Sequence, residues 1–191
     1  WMLAFALRKD GWYLRQDIIW HKPNPMPESV RDRCTKSHEY IFLLSKNKSY
    51  YYNHEAIKEP VKQDWGTRNR DNGKYHKAGT GLSPHTGLTK SYTTKNKRSV
   101  WSITNKPYKH AHFATFPPDL IEPPILAGSR NGDIVLDPFM GSGTTAVSCI
   151  NLDRRYIGFE ISKKYFDIAN KRVDKVWSKK LTTEKAGEFW K

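Results

Sequence analysis

The stretch Ile134-Val-Leu-Asp-Pro-Phe-Met-Gly-Ser-Gly-Thr-Thr-Ala146 decides the fold. Its apolar start, Ile134 to Leu136, predicts a short buried strand. Asp137 ends the strand, a turn containing Gly141 and Gly143 follows, and Gly143 to Leu152 predicts a helix. The two glycines let the backbone bend tightly and approach a ligand. The helix start offers unpaired N–H groups at the same place. Tyr156-Ile-Gly-Phe159 predicts the next strand, and Ser162 is placed to cap a long helix. Tyr165, Phe166, Ala169, Val173, Val176 and Trp177 recur along it at three- and four-residue steps. Strand–helix–strand–helix implies an α/β class with a parallel sheet covered by helices.

In such sheets ligands bind beyond the carboxyl ends of the strands. Glu160 falls at that end of the second strand, 17 residues after Gly143. A carboxylate there can accept both hydroxyl hydrogens of a ribose. Gly141-x-Gly143-x-x-Ala146 also satisfies the loose dinucleotide pattern. The Asp137-Pro138-Phe139 lead-in argues otherwise, because a carboxylate beside the turn repels a pyrophosphate. S-adenosylmethionine has no phosphate and carries an ammonium and a sulfonium, so an acidic strand end suits it. A nicotinamide-dependent oxidoreductase using the same turn and Glu160 is the first rival reading.

Upstream, Met2 to Leu7 predicts a helix closed by Asp10-Gly11. Tyr13 to Trp20 predicts a strand, being rich in β-branched and aromatic residues. His21-Lys-Pro-Asn-Pro-Met-Pro27 forbids helix and central strand, and so reads as a stiff extended arm. Glu39 to Ser45 predicts a strand buried on both faces. Val100-Trp101 restores order after a long polar stretch, and Ile121 to Ala127 predicts a helix starting around its prolines.

That polar stretch, from about 53 to 98, nearly lacks hydrophobic periodicity. It carries Arg68, Arg70, Lys74, Lys95, Lys97 and Arg98, with Trp65, Tyr75 and Tyr92 among them. Interleaved cations and aromatics can pair with phosphates and stack on bases. The whole chain points the same way: 33 Lys and Arg against 19 Asp and Glu leave a net charge of +14. Such an excess repels itself unless a polyanion is near. A basic DNA-binding module that is no enzyme is the second rival. Cys34 and Cys149 match no metal spacing and read as reduced thiols of a cytoplasmic protein. No apolar run approaches the roughly 20 residues of a membrane helix, and no signal peptide is visible.

Two segments carry a family resemblance. Asp137-Pro-Phe-Met-Gly-Ser-Gly-Thr-Thr145 resembles the cofactor signature of the DNA amino-methyltransferases, which act on N6 of adenine or N4 of cytosine. Ala111-His-Phe-Ala-Thr-Phe-Pro-Pro-Asp-Leu120 resembles the segment that precedes that signature in the permuted, beta-type members. Trp20-His-Lys-Pro-Asn-Pro25 and His38-Glu-Tyr-Ile-Phe-Leu-Leu-Ser45 resemble the part that follows their catalytic motif. The resemblance implies a Rossmann-like S-adenosylmethionine-dependent methyltransferase fold. Its mixed, mainly parallel sheet is flanked by helices, with a basic recognition region inserted. Residues 1–52 and 100–191 would form the core and 53–99 the insertion.

By the same resemblance, Asp137, Phe139, Gly141 and Gly143 line the S-adenosylmethionine pocket, with His112 and Thr115 as further contacts. Thr144 and Thr145 hold the cofactor's amino-acid end and Glu160 its ribose. These enzymes use a tetrapeptide of Asp, Asn or Ser, then Pro-Pro, then an aromatic, to hold the flipped base. Phe116-Pro-Pro-Asp119, Glu122-Pro-Pro-Ile125 and Asn24-Pro-Met-Pro27 do not match it. In the permuted order it precedes Trp1, so the expectation is a chain truncated at its N-terminus; a catalytically dead relative is the alternative. Trp20 and His21 are the candidates for contact with the target base. Double-stranded DNA is the implied partner. A homodimer, expected from an exposed sheet edge, and a cognate restriction endonuclease stay open. An RNA or protein acceptor is a third reading that the cofactor half leaves open.

Overall fold

The computed structural model describes residues 1–61, 93–105 and 116–188, with side chains as far as 183. Helix α1, Met2–Lys9, leads into strand β1, Tyr13–His21. The proline arm after β1 is neither helix nor strand, as missing N–H donors and fixed φ angles require. Strand β2, His38–Ser45, returns antiparallel to β1, pairing Tyr13 with Ser45 and His21 with His38. No helix separates the two strands, so there is no crossover to make them parallel.

A 3-10 turn, Glu55–Ile57, then leads to a two-stranded ribbon of β3, Glu59–Pro60, and β4, Thr94–Lys95. Strand β5, Val100–Ser102, pairs parallel with β1, so the three-stranded sheet runs β2-β1-β5. Helix α2, Pro118–Gly128, follows; then β6, Ile134–Asp137, α3, Thr144–Asn151, β7, Arg155–Gly158, and α4, Lys163–Glu188. β6 and β7 pair in parallel, from Ile134 with Arg155 to Asp137 with Gly158.

Two apolar clusters hold these elements. Ile18, Trp20, Trp101 and Leu120 are buried where α2 covers the first sheet. Met140, Ala146, Ile150 and Val173 are buried between the β6–β7 pair, α3 and α4, with Tyr156 packed against them. α2 packs against α3, and Arg154 ties the two halves by donating to the Ser129 carbonyl at 3.0 Å and Asn131 Oδ1 at 2.6 Å. Cys149, fully buried in α3, has its thiol pushed up to about 11, first by burial. It behaves as a small apolar group.

Three expectations are corrected. β2 is not buried on both faces: Tyr40 is exposed and Ile41 to Leu44 are half-buried, because β2 is an edge strand. β6 is not a buried strand, with Ile134 and Leu136 more than half exposed. In the parallel register Val135 and Tyr156 turn toward the helices, and Leu136 and Ile157 turn away from them. Helix α2 begins at Pro118 rather than Ile121. Pro118 fits the first position, but Pro123 and Pro124 lie inside and remove two backbone donors. Burial of Leu120, Ile125 and Ala127 offsets that loss.

Candidate cofactor-binding site

Strand β6 delivers Asp137 at its carboxyl end, and the chain then turns through Pro138 to Gly143 before α3. Gly141 has φ +54° and Gly143 φ +83°, in the left-handed region where glycine carries no side-chain penalty. Gly143 has a second reason to be glycine. A Cβ there would lie 3.0 Å from the Ala169 Cβ of α4 and 3.1 Å from its Cα.

Two carboxylates organise this turn. Asp137 Oδ1 accepts from the Phe139 amide at 2.9 Å, and Oδ2 accepts from the Thr145 hydroxyl at 2.6 Å. Glu160 stands just beyond β7. One of its oxygens accepts from the Gly141 amide and the other from the Ser162 amide, both at 2.8 Å. The backbone links the same two elements, Met140 N donating to Phe159 O at 2.8 Å and Phe159 N to Asp137 O at 3.0 Å. Asp137, Gly141, Gly143 and Glu160, separated in sequence, therefore share one strand-end crevice. Phe139 projects from its rim, 86% exposed.

Thr144 and Thr145 lie behind this crevice. Both are buried; the Thr145 hydroxyl is engaged by Asp137, and Thr144 Oγ1 lies 3.3 Å from the Arg172 guanidinium. Their hydroxyls hold the turn through Asp137 and Arg172. His112 and Thr115 lie outside the described residues.

The donor set fits S-adenosylmethionine. It offers two carboxylates for a cationic molecule, an exposed aromatic ring and a glycine turn. Glu160 spends two of about four lone-pair sites on amides, leaving room for ribose hydroxyls. Among the described residues no group of three or more His, Cys, Asp or Glu could hold a metal ion.

The ends of β1 and β5 carry the other predicted residues. Trp20 is buried, and its indole N–H donates to the Ile103 carbonyl at 2.9 Å. It belongs to the apolar cluster with Ile18, Trp101 and Leu120. His21, next to it, is half-buried, with Nδ1 3.0 Å from Ser102 Oγ. Lys22 pairs with Glu39, its ammonium 4.4 Å from the Trp20 ring centre.

Of the predicted DNA-binding residues, Arg68, Arg70 and Lys74 lie outside the described residues. Lys95 lies on β4. Lys97 and Arg98 both approach Glu59, at 3.7 and 3.4 Å. Two cations on one carboxylate leave a positive excess.

The N6_N4_Mtase family model, described as DNA methylase, matches residues 2–171. The chain belongs to this family. Relatives of the DNA methylase family include the type II methyltransferase M.SmaI of Serratia marcescens. It is 50% identical over 173 residues, which are 91% of this chain and 50% of the relative. M.Cfr9I of Citrobacter freundii is 47% identical over 91% of this chain and 48% of its own. The chain thus spans about half the length of these curated relatives. Among solved structures, the M1.HpyAVI complex with SAM is 28% identical, with a TM-score of 0.59 over 90% of this chain and 68% of that one. PvuII DNA methyltransferase, described as cytosine-N4-specific, superposes with a TM-score of 0.62 over 92% of this chain and 59% of its own at 18% identity, a likeness of fold alone. The Rossmann-like methyltransferase fold that the family resemblance implied is the fold of this chain.

Arg172 is the residue of this site that sequence reading missed. Its helical position alone marks only a long cation on a half-buried face.

Proposed function

We propose that this chain is the cofactor-binding part of a DNA methyltransferase that moves a methyl group from S-adenosylmethionine to an exocyclic base amine. One observation carries the reading. Asp137 and Glu160 both bind the backbone of a single glycine turn in a chain that belongs to the DNA methylase family. Bound S-adenosylmethionine would supply a methyl group activated on a cationic sulfur. Asp137, Phe139, Gly141, Gly143 and Glu160 would bind and orient it, with Thr144 and Thr145 acting from behind the turn. Transfer then depends largely on positioning. A base-holding tetrapeptide does not occur in the 191 residues, and that role is assigned to none of them. N4 of cytosine and N6 of adenine share this apparatus, and both stand as acceptors.

The test is calorimetric titration with S-adenosylmethionine, with NAD as competitor. Binding that ignores NAD and weakens roughly tenfold or more in Glu160→Ala is expected. Displacement by NAD would revive the oxidoreductase reading. Absence of binding by the folded wild type would favour the DNA-binding module.

We also propose that His21 lies near the target base. The supporting observation is its place at the carboxyl end of β1, hydrogen-bonded to the neighbouring strand end. A fluorescent base analogue at the target position should respond to His21→Ala; an unchanged signal would refute the assignment. Double-stranded DNA is the proposed partner, met through the segment 53–99 with Lys95, Lys97, Arg98 and the cations at 68, 70 and 74. A second copy and a cognate restriction endonuclease are further proposed partners. The first is supported by open strand edges, the second by the type II names of the relatives. A cytoplasmic location is inferred from two unpaired cysteines. Among the described residues no helix is long and apolar enough to cross a membrane.

A further inference from the structure

Three acceptors at the back of the glycine turn converge on one side chain from another element. Arg172, on α4, donates through Nη1 to the Ser142 carbonyl at 2.6 Å and reaches Ser142 Oγ at 3.0 Å and Thr144 Oγ1 at 3.3 Å. Ser142 and Thr144 are both buried. Between them Gly143 rests against Ala169, one helical turn before Arg172. Glu160 holds the front of the same turn through the Gly141 amide. The turn is therefore gripped on two sides: a carboxylate faces the crevice, and a guanidinium stands behind it. Hydrogen bonds from an ionised donor are roughly twice as strong as neutral ones. Two left-handed glycines flanking Ser142 have the most conformational freedom to lose, so an external brace has the most effect there.

We propose that Arg172 is a positioning residue for the cofactor. It fixes the Ser142–Thr144 backbone so that the turn and Glu160 are already arranged for S-adenosylmethionine before binding. The proposal rests on the cofactor reading above. Its sign sets it apart from simple electrostatics. The cofactor is cationic, so deleting a nearby positive charge would by Coulomb's law alone tighten binding. Loss of a brace does the opposite, because the turn must be ordered when the ligand arrives.

The experiment compares wild type, Arg172→Met and Arg172→Lys in two measurements. The first is amide hydrogen exchange without ligand. Positioning predicts faster exchange in Arg172→Met confined to residues 141–145, with the later turns of α3 and α4 unchanged. The second is calorimetric titration with S-adenosylmethionine. It predicts a roughly tenfold weaker Kd for Arg172→Met. Arg172→Lys should fall between, since it keeps a charged donor but carries it on a shorter, more flexible stem than the one that places Nη1. Equal or tighter binding in Arg172→Met overturns the proposal, as does faster exchange spread evenly over α3 and α4. Should the Met variant fail to fold, Arg172→Lys decides, and wild-type exchange and affinity there overturn it. Wild type that binds no S-adenosylmethionine sinks the cofactor reading itself. Wild type that binds, with Met and Lys variants matching it, sinks only the role of Arg172.

Discussion

Gly143 has φ +83°, and a Cβ there would lie 3.0 Å from the Ala169 Cβ, tighter than an ordinary contact. Alanine there meets two penalties at once, a left-handed backbone and a collision with the helix. Each is of order 1–3 kcal/mol. Gly143→Ala should therefore lower the free energy of unfolding by about 2 kcal/mol or more, read from urea denaturation. Gly132, also left-handed at φ +81°, has nothing within 4 Å of its would-be Cβ. Alanine at Gly132 should cost less than at Gly143, and equal losses would show that the Ala169 contact is immaterial. Both glycines of the cofactor turn were legible as a turn in the sequence. Their spatial reason was not, because Ala169 is 26 residues away.

At the scale of elements, β3 and β4 bring Glu59 beside Lys97 and Arg98 at the mouth of the basic segment. Arg98 is exposed while Lys97 and Glu59 are half-buried; an ion pair with an exposed partner contributes roughly 0–1 kcal/mol, so Arg98 remains available to a stronger anion. Phosphate contacts release counterions, and affinity then falls steeply with salt. Deleting 54–98 should flatten the dependence of DNA affinity on salt, measured by fluorescence anisotropy from about 50 to 200 mM. A slope equal to wild type would place the DNA contacts elsewhere. The existence and type of β1, β2, α3 and α4 followed from periodicity and turn chemistry. The start of α2 did not, because local reasoning places Pro123 and Pro124 in a first turn, whereas the helix begins at Pro118 and carries them inside. Burial of Leu120, Ile125 and Ala127 keeps that helix going.

Across the whole molecule, the helices cover one face of the β6–β7 pair and leave the other open. Ile134, Leu136 and Ile157 are each about half exposed or more, and Phe159 follows them. Both strands also end their sheet, leaving unpaired backbone groups at its edges. An apolar face with open edges favours association. Light scattering over a concentration series should show a mass that rises with concentration. Leu136→Arg should suppress that rise without loss of helical circular dichroism. Monomer at every concentration in the wild type would contradict the expectation.

The sequence by itself determined the α/β class, the glycine turn and its acidic flanks. Those features are local, written in residues a few places apart and in turn chemistry that needs no partner. Tertiary structure alone decided what those groups do. It put Asp137 and Glu160 on one turn, tied Thr145 to Asp137 and Thr144 to Arg172, and packed Trp20 against Ile18, Trp101 and Leu120. It also brought Arg172 up behind Ser142. The reason is that a side chain's role depends on which distant surface its strand or helix is packed against, and no spacing along the chain carries that information.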